Sequence, residues 1–311
     1  MTAAAPAPGQ TFGRYTLEEL LGQGGFAWVF SARRTDGKSF AIKILKPRYS
    51  SDPAFVARFR EESDVAASLQ HPNIVRIEDI ESAPPTVFFA MERYPDNLAS
   101  RSERGPPLAE EWVVRVATGV AQALAYAHGR GIIHRDIKPH NILLAAGDVP
   151  AIADFGLARA IVGYVAASGA WMTIGTPHYL SPEQAQGRPV DGRSDLYSLG
   201  ITLYQAVTGQ LPFRSRDWFD LARMHVEARP EPPRRLRPDL SRRFERIILR
   251  CLAKHPDDRY PSAASLVADL DDISAKTRPT AAIRVPDGYL PESGPLRTDP
   301  LQPSKPWWKR W

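Results

Sequence analysis

The 311 residues contain one cysteine, Cys251, so neither an internal disulfide nor a cysteine-based zinc cluster can be built from this chain. That suits a reducing compartment, and Cys251 itself reads as a small buried apolar residue rather than a reactive thiol. The start, Met1 to Phe12, lacks a basic segment and a sustained apolar run, its alanines being broken by Pro6 and Pro8, so a secretory leader is not expected. Long charge-free runs are scarce. The longest, Leu196 to Phe213, reaches 18 residues but contains Ser198, Thr202, Gln205, Thr208 and three glycines or prolines, and reads as a helix buried inside protein. Metal spacing is missing as well, because His128, His134 and His140 fall six apart and do not share the i, i+4 geometry of a helical zinc site. The body also lacks a charge excess. Of the net +5, residues 273–311 hold seven basic and three acidic residues, so a general nucleic-acid surface is not implied.

What remains is ordinary globular composition, 43% hydrophobic and 24% charged, at a length suited to one large domain or two smaller ones. Between Tyr15 and Met91 the text is strand-like: Tyr15 to Leu21, Ala27 to Arg33, Ser39 to Leu45, Ile74 to Ile80 and Val87 to Met91, with turn chemistry at Thr35-Asp36-Gly37-Lys38. One helix interrupts them, opened by Asp52-Pro53, faced by Phe55, Phe59, Val65 and Leu69, and stopped by His71-Pro72. After Pro95 helical periods dominate, notably Leu108 to Gly129 with Val113, Val116, Val120, Leu124 and His128 on one side. The expected fold class is α+β, a small antiparallel sheet lobe with one main helix followed by a larger, mainly helical lobe. Seven prolines among the last 39 residues, and too few apolar residues for a core, mark a tail expected to be mobile.

Three glycines in Leu21-Gly22-Gln23-Gly24-Gly25-Phe26-Ala27-Trp28-Val29 lie between two expected strands, where backbone amides can approach an anion. A dinucleotide fingerprint would need a helix directly after the glycines, whereas Trp28-Val29-Phe30 continues as strand. Gly37-Lys38-Ser39 superficially matches the end of a Walker loop, but Ala32 stands at the required glycine and a strand follows, so a solvated turn is the better reading. Lys43 sits inside the apolar strand Ala41-Ile42-Lys43, on a half-buried face that demands a charge partner, with Glu61 and Glu62 as candidates.

His134-Arg135-Asp136-Ile137-Lys138-Pro139-His140-Asn141 and Asp154-Phe155-Gly156 complete an ordered set from about Tyr15 to Asp272 that resembles the protein kinase family, and within it the bacterial eukaryotic-like serine/threonine kinases. Arg58-Phe59-Arg60-Glu61-Glu62 before His71-Pro72-Asn73, and Tyr179-Leu180-Ser181-Pro182-Glu183-Gln184-Ala185, share that character. The resemblance implies a two-lobed kinase domain over 14–272, with an N-lobe at 14–93 and a C-lobe at 94–272, between a flexible start at 1–13 and a proline-rich basic tail at 273–311. ATP would lie against Leu21, Gly22, Gln23, Gly24, Gly25, Phe26, Ala27, Val29, Ala41, Lys43, Met91, Glu92, Tyr94 and Asn141. Lys43 would hold the α and β phosphates, oriented by Glu62, which lies nine residues before His71 as in the family. Asp154 and Asn141 would hold Mg²⁺, with Mn²⁺ as a substitute. Asp136 would accept the proton of the acceptor hydroxyl and Lys138 would neutralise the moving phosphoryl charge. Asp-x-Lys-Pro-x-Asn and Thr176 imply serine or threonine acceptors.

Departures from the family pattern are Ala27 at the third glycine, and Arg93 and Pro95 in the connector, which leave Asp96 as the candidate ribose contact. Glu183 is expected to pair with Arg259. Among the loop hydroxyls, Thr173 first and Ser168 second are expected phosphorylation sites answering Arg135. Protein substrates, and a transient homodimer for autophosphorylation in trans, are the expected partners. A pseudokinase scaffold and a small-molecule kinase are the alternatives. Only the tail follows the folded body and it forms no span, so a cytoplasmic kinase is expected. Trp307, Trp308 and Trp311 beside Lys309 and Arg310 offer at most weak peripheral membrane contact.

Overall fold

A computed structural model describes residues 5–81, 87–105, 107–155 and 177–277, without the side chains of Arg58, Glu62, Pro177 and residues 274–277. Its first part is one sheet of β1 (Thr11–Phe12), β2 (Tyr15–Gln23), β3 (Ala27–Arg34), β4 (Ser39–Leu45), β5 (Ile77–Glu81) and β6 (Phe88–Glu92), in the spatial order β1-β2-β3-β4-β6-β5. Every pairing is antiparallel. Period-two alternation sends Phe40, Ile42 and Ile44 of β4 to one face, among Tyr15, Trp28, Phe30 and Phe88. Ala41 and Leu45 go to the other, against Phe55 and Phe59. That second face is covered by α2 (Pro53–Ser68), which follows the short helix α1 (Pro47–Ser50). Asp52 caps α2 by accepting from Ala54 N at 2.9 Å, with Pro53 in the first turn. At Asp36-Gly37 a side-chain oxygen accepts from Lys38 N at 3.1 Å and Gly37 takes φ 83°, the solvated turn expected there.

Two expectations fail on burial and pairing. Val65 is 39% exposed, because the buried stripe of α2 runs instead through Phe55, Val56, Phe59 and Ala66. Ile74 and Val75 do not enter β5. Val75 N donates to Ile152 O at 2.9 Å and Ile152 N to Asn73 O at 2.8 Å, so their extended backbone joins a segment of the other lobe.

The larger lobe contains β7 (Asp96–Asn97), α3 (Leu98–Arg104), α4 (Glu110–His128), β8 (Ile142–Leu144), β9 (Pro150–Ile152), α5 (Pro182–Ala185), α6 (Gly192–Thr208), α7 (Trp218–Glu227), α8 (Pro233–Leu236), α9 (Arg242–Cys251) and α10 (Ala263–Thr277). The charge-free run is explained by α6, whose Leu196, Tyr197, Leu199, Ile201 and Leu203 are buried where α4, α9 and α10 pack around it. No described helix is long and apolar enough to cross a membrane. A Cβ on Gly200 would stand 2.7 Å from Cys251 Cβ, so glycine sets the approach of α6 and α9. Burial pushes the Cys251 thiol up to about 12, which makes it inert.

One buried ion pair closes this lobe. Arg259 donates to Glu183 Oε1 at 2.7 Å and Oε2 at 2.8 Å, and also to the carbonyls of Ala253, Arg193 and Lys254. Burial alone would raise the Glu183 pKa, but Arg259 and the Ser194 hydroxyl outweigh it and hold the carboxyl below its ordinary value. Its contribution to stability is therefore present at neutral pH and is lost as pH falls through the folded-state value. Glu183→Gln leaves the Arg259 charge buried without its counterion, so it should cost about 3–5 kcal/mol in urea unfolding and flatten the acid limb of stability. A loss below about 1 kcal/mol, typical of an exposed pair, would contradict this role.

Candidate active site

The turn between β2 and β3 is closed by Gly24 N donating to Ala27 O at 2.9 Å. A Cβ built on Gly22 or Gly25 meets nothing within 4 Å, so packing does not require glycine there. Open space is what backbone amides approaching phosphate oxygens would need. Below it Leu21, Ala41, Met91 and Ala153, with the partly buried Val29, Tyr94 and Leu143, form one apolar cluster continuous with the sheet core. Such side chains are the apolar surface that a flat base would need. Leu143 and Ala153 join this cluster without having been named from the sequence. In sequence they are marked only by an apolar run Ile142-Leu143-Leu144 and by an alanine before Asp154; in β8 Leu143 is the less buried residue between Ile142 and Leu144. Gln23 is exposed, and the Phe26 ring packs 4.8 Å from Tyr49, so the Phe26 side chain is engaged with α1. In the connector Glu92 N donates to Arg76 O at 3.0 Å. Asp96, the candidate ribose contact, is engaged by Arg104 and by Arg101 at 3.6 Å.

Register places Lys43 opposite Val29 and Phe89, with its side chain directed across the cleft. Its Nζ meets Asp154 Oδ2 at 2.7 Å. Of the two glutamates expected as partners, Glu61 is exposed and the Glu62 side chain lies outside the described residues. Burial would raise the Asp154 pKa, yet the nearby Lys43 charge and hydrogen bond bring it below the ordinary carboxylate range. Asp154 adopts φ 65°, a left-handed conformation unusual for a non-glycine and typical of functional strain.

Across the cleft Lys138 Nζ donates to Asp136 Oδ2 at 2.7 Å. Asn141 Nδ2 donates to Asp136 O at 2.8 Å and Asp136 Oδ2 at 3.1 Å, which leaves Oδ1 as the amide atom to meet a cation. Asp154 and Asn141 thus offer two oxygens. Among the described residues no cluster of three acidic, histidine or cysteine side chains forms a cage. That donor set fits Mg²⁺, which retains waters and prefers phosphate oxygens. Burial, then the Lys138 charge, push the neighbouring His140 down to about 4, so it is neutral at pH 7.

The loop carrying Asp136 is held from beneath by a residue in the first turn of α6. Asp195, fully buried, accepts from His134 N at 2.9 Å and Arg135 N at 2.7 Å, and meets His128 Nε2 at 2.8 Å. A Cβ on Gly192 would stand 2.5 Å from His128 Nδ1, so glycine lets α6 begin against that ring. His134 Nδ1 accepts from Asp136 N at 3.2 Å, which leaves Nε2–H to donate to Ala153 O at 2.8 Å, next to Asp154. Arg135 sits at φ 69°, and its Nε is buried with no hydrogen-bond partner among the described residues. Its carbonyl accepts from Gln184 Nε2 at 2.9 Å. Thr176, Gly156, Ser168 and Thr173 lie outside the described residues.

The family description "Protein kinase domain" matches residues 15–269. The serine/threonine-protein kinase PknB of Mycobacterium leprae is 38% identical over 293 residues, 92% of this chain and 45% of that protein. The serine/threonine-protein kinase pkn3 of Myxococcus xanthus is 40% identical over 277 residues, 85% of this chain and 51% of the relative. The chain thus spans about half the length of these curated relatives. The crystal structure of the Mycobacterium tuberculosis PknI kinase domain superposes with a TM-score of 0.67 at 30% identity, covering 86% of this chain and 99% of that one. With the two-lobed fold and the ordered motifs of its cleft, the chain belongs to the protein kinase family.

Proposed function

We propose that this domain transfers the γ-phosphoryl group of ATP to serine and threonine hydroxyls of proteins, its own loop included. The observation that carries the reading is the convergence in one cleft of Lys43 with Asp154 at 2.7 Å and of Asp136 with Lys138 at 2.7 Å. Phosphoryl transfer spreads negative charge over oxygens, and fixed cations and amides stabilise it without covalent chemistry. In this proposal Gly22, Gly24 and the amides of Gly25 to Ala27 cover the phosphates, and Lys43 holds the α and β groups with Glu62 as its orienting partner. Mg²⁺, or Mn²⁺ in its place, would be held by Asp154 and Asn141 and would offset the charge of the bound phosphates. Asp136 accepts the proton of the acceptor hydroxyl, while Lys138 and Thr176 attend the acceptor side. Retention of every one of these groups favours an enzyme over a pseudokinase scaffold. A cytoplasmic place of action and a transient homodimer for autophosphorylation belong to the same proposal.

Asp136→Asn and Lys43→Met should each lower transfer of labelled phosphate from ATP to protein by about 10² to 10⁴-fold while the folded state persists. Turnover close to that of the unaltered chain by either variant would remove these roles. Regulation follows from Arg135, whose buried Nε has no partner among the described residues. A phosphate on Thr173 or Ser168 would supply one and order the loop. The Thr173→Ala, Ser168→Ala double variant should therefore be slow even after incubation with ATP. Full-rate turnover by that variant would mean that loop phosphorylation is not the switch.

A further inference from the structure

The segment after Lys43 turns back toward the glycine-rich turn and grips it. Lys46 N donates to Phe26 O at 2.9 Å, Lys46 Nζ to Gly24 O at 2.6 Å, and Arg48 Nη2 to Gly25 O at 3.2 Å. Three successive carbonyls of the turn are thereby engaged by two residues at the start of α1. Aromatic packing reinforces the contact. The Phe26 ring lies 4.8 Å from Tyr49 and 6.2 Å from Phe55, and Tyr49 lies 4.9 Å from Phe55, which is 1% exposed in α2. The Lys46 ammonium also stands 5.7 Å from the Trp28 ring in β3, and the Arg48 guanidinium 4.5 Å over Tyr49.

In a trans peptide the carbonyl of one residue and the N–H of the next point in opposite directions across the same plane. Fixing the carbonyls of Gly24, Gly25 and Phe26 toward α1 therefore turns the amides of Gly25, Phe26 and Ala27 away from it. We infer that Lys46 and Arg48 are positioning residues: they pre-set the peptide planes whose amides cover the triphosphate, and the Phe26-Tyr49-Phe55 contact couples that setting to α2. The inference rests on the kinase reading, since it assigns those amides to ATP. Neither cation touches the nucleotide. Both act on the opposite side of the peptide planes, so their effect is confined to the phosphate end of the ligand.

Calorimetry on the full chain would measure Kd for Mg²⁺ with AMP-PNP and, separately, for adenosine, which has no phosphates for the turn to cover. Steady-state assays would supply KM for ATP and kcat. Lys46→Met with Arg48→Met should raise the AMP-PNP Kd and the KM for ATP about five- to tenfold, the scale of lost charge-assisted hydrogen bonds at a partly exposed site. The adenosine Kd should stay within about twofold, and Lys46→Arg alone should retain tight AMP-PNP binding to the same margin. Equal weakening of both ligands would mean general loosening of the lobe, and no change in either would mean that the contacts are idle. Either result overturns the inference. Failure of the unaltered chain to bind both ligands would instead remove the nucleotide reading itself, and the positioning role with it.

Discussion

A carboxylate with no exposure to water, Asp195, is the constraint on which the catalytic geometry hangs. Burying it ionised is costly unless donors replace water, and they do: the amides of His134 and Arg135, the His128 ring, and a place in the first turn of α6 where the helix dipole favours negative charge. Those two amides can reach one carboxylate only because the loop bends sharply, with Arg135 held left-handed. The strain at Arg135 is thus offset by satisfying a charge in the core. From this point contacts run outward in both directions. His134 passes the constraint to the carbonyl before Asp154, and Arg135 O passes it through Gln184 to α5, where Glu183 and Arg259 anchor it.

The result is a cleft whose charges are placed before any substrate arrives. Lys43 and Asp154 face each other from the two lobes, and Lys138 and Asp136 from one loop, so two cations balance two carboxylates. A charged group bound in such a site meets oriented partners instead of mobile water, and the reorganisation that solution chemistry requires is avoided. The cluster from Leu21 to Leu143 adds the apolar half of the site. In the proposed reading it would give a base apolar side chains to lie against rather than fixed charges.

Much of this was legible in the sequence because phosphate chemistry restricts its residues to short, ordered motifs. The glycine turn, Lys43, the His134 to Asn141 loop and Asp154 can be placed from their order alone. Contacts between distant segments were harder to see. The need of Lys43 for a counterion was plain from its apolar strand, but Asp154 lies in another lobe and outside the reach of local periodicity. Asp195 stands in sequence only as the charged residue before an apolar helical run, and the three-dimensional meeting of its carboxylate with two loop amides reveals its burden. Ile74 and Val75 have the β-branched character of a strand and use it in a cross-lobe bridge instead. Val65 failed because a helical stripe read from four residues tolerates an error of one position, and Val56 and Ala66 define the true face.

The most direct measurement is mass spectrometry of the purified chain and of Asp136→Asn after incubation with ATP and Mg²⁺, with the modified residues located by fragmentation. The expected result is phosphate on serine and threonine hydroxyls of the unaltered chain and none beyond background on the variant. Absence of incorporated phosphate, or phosphate confined to tyrosine, would contradict a serine/threonine kinase built on this cleft.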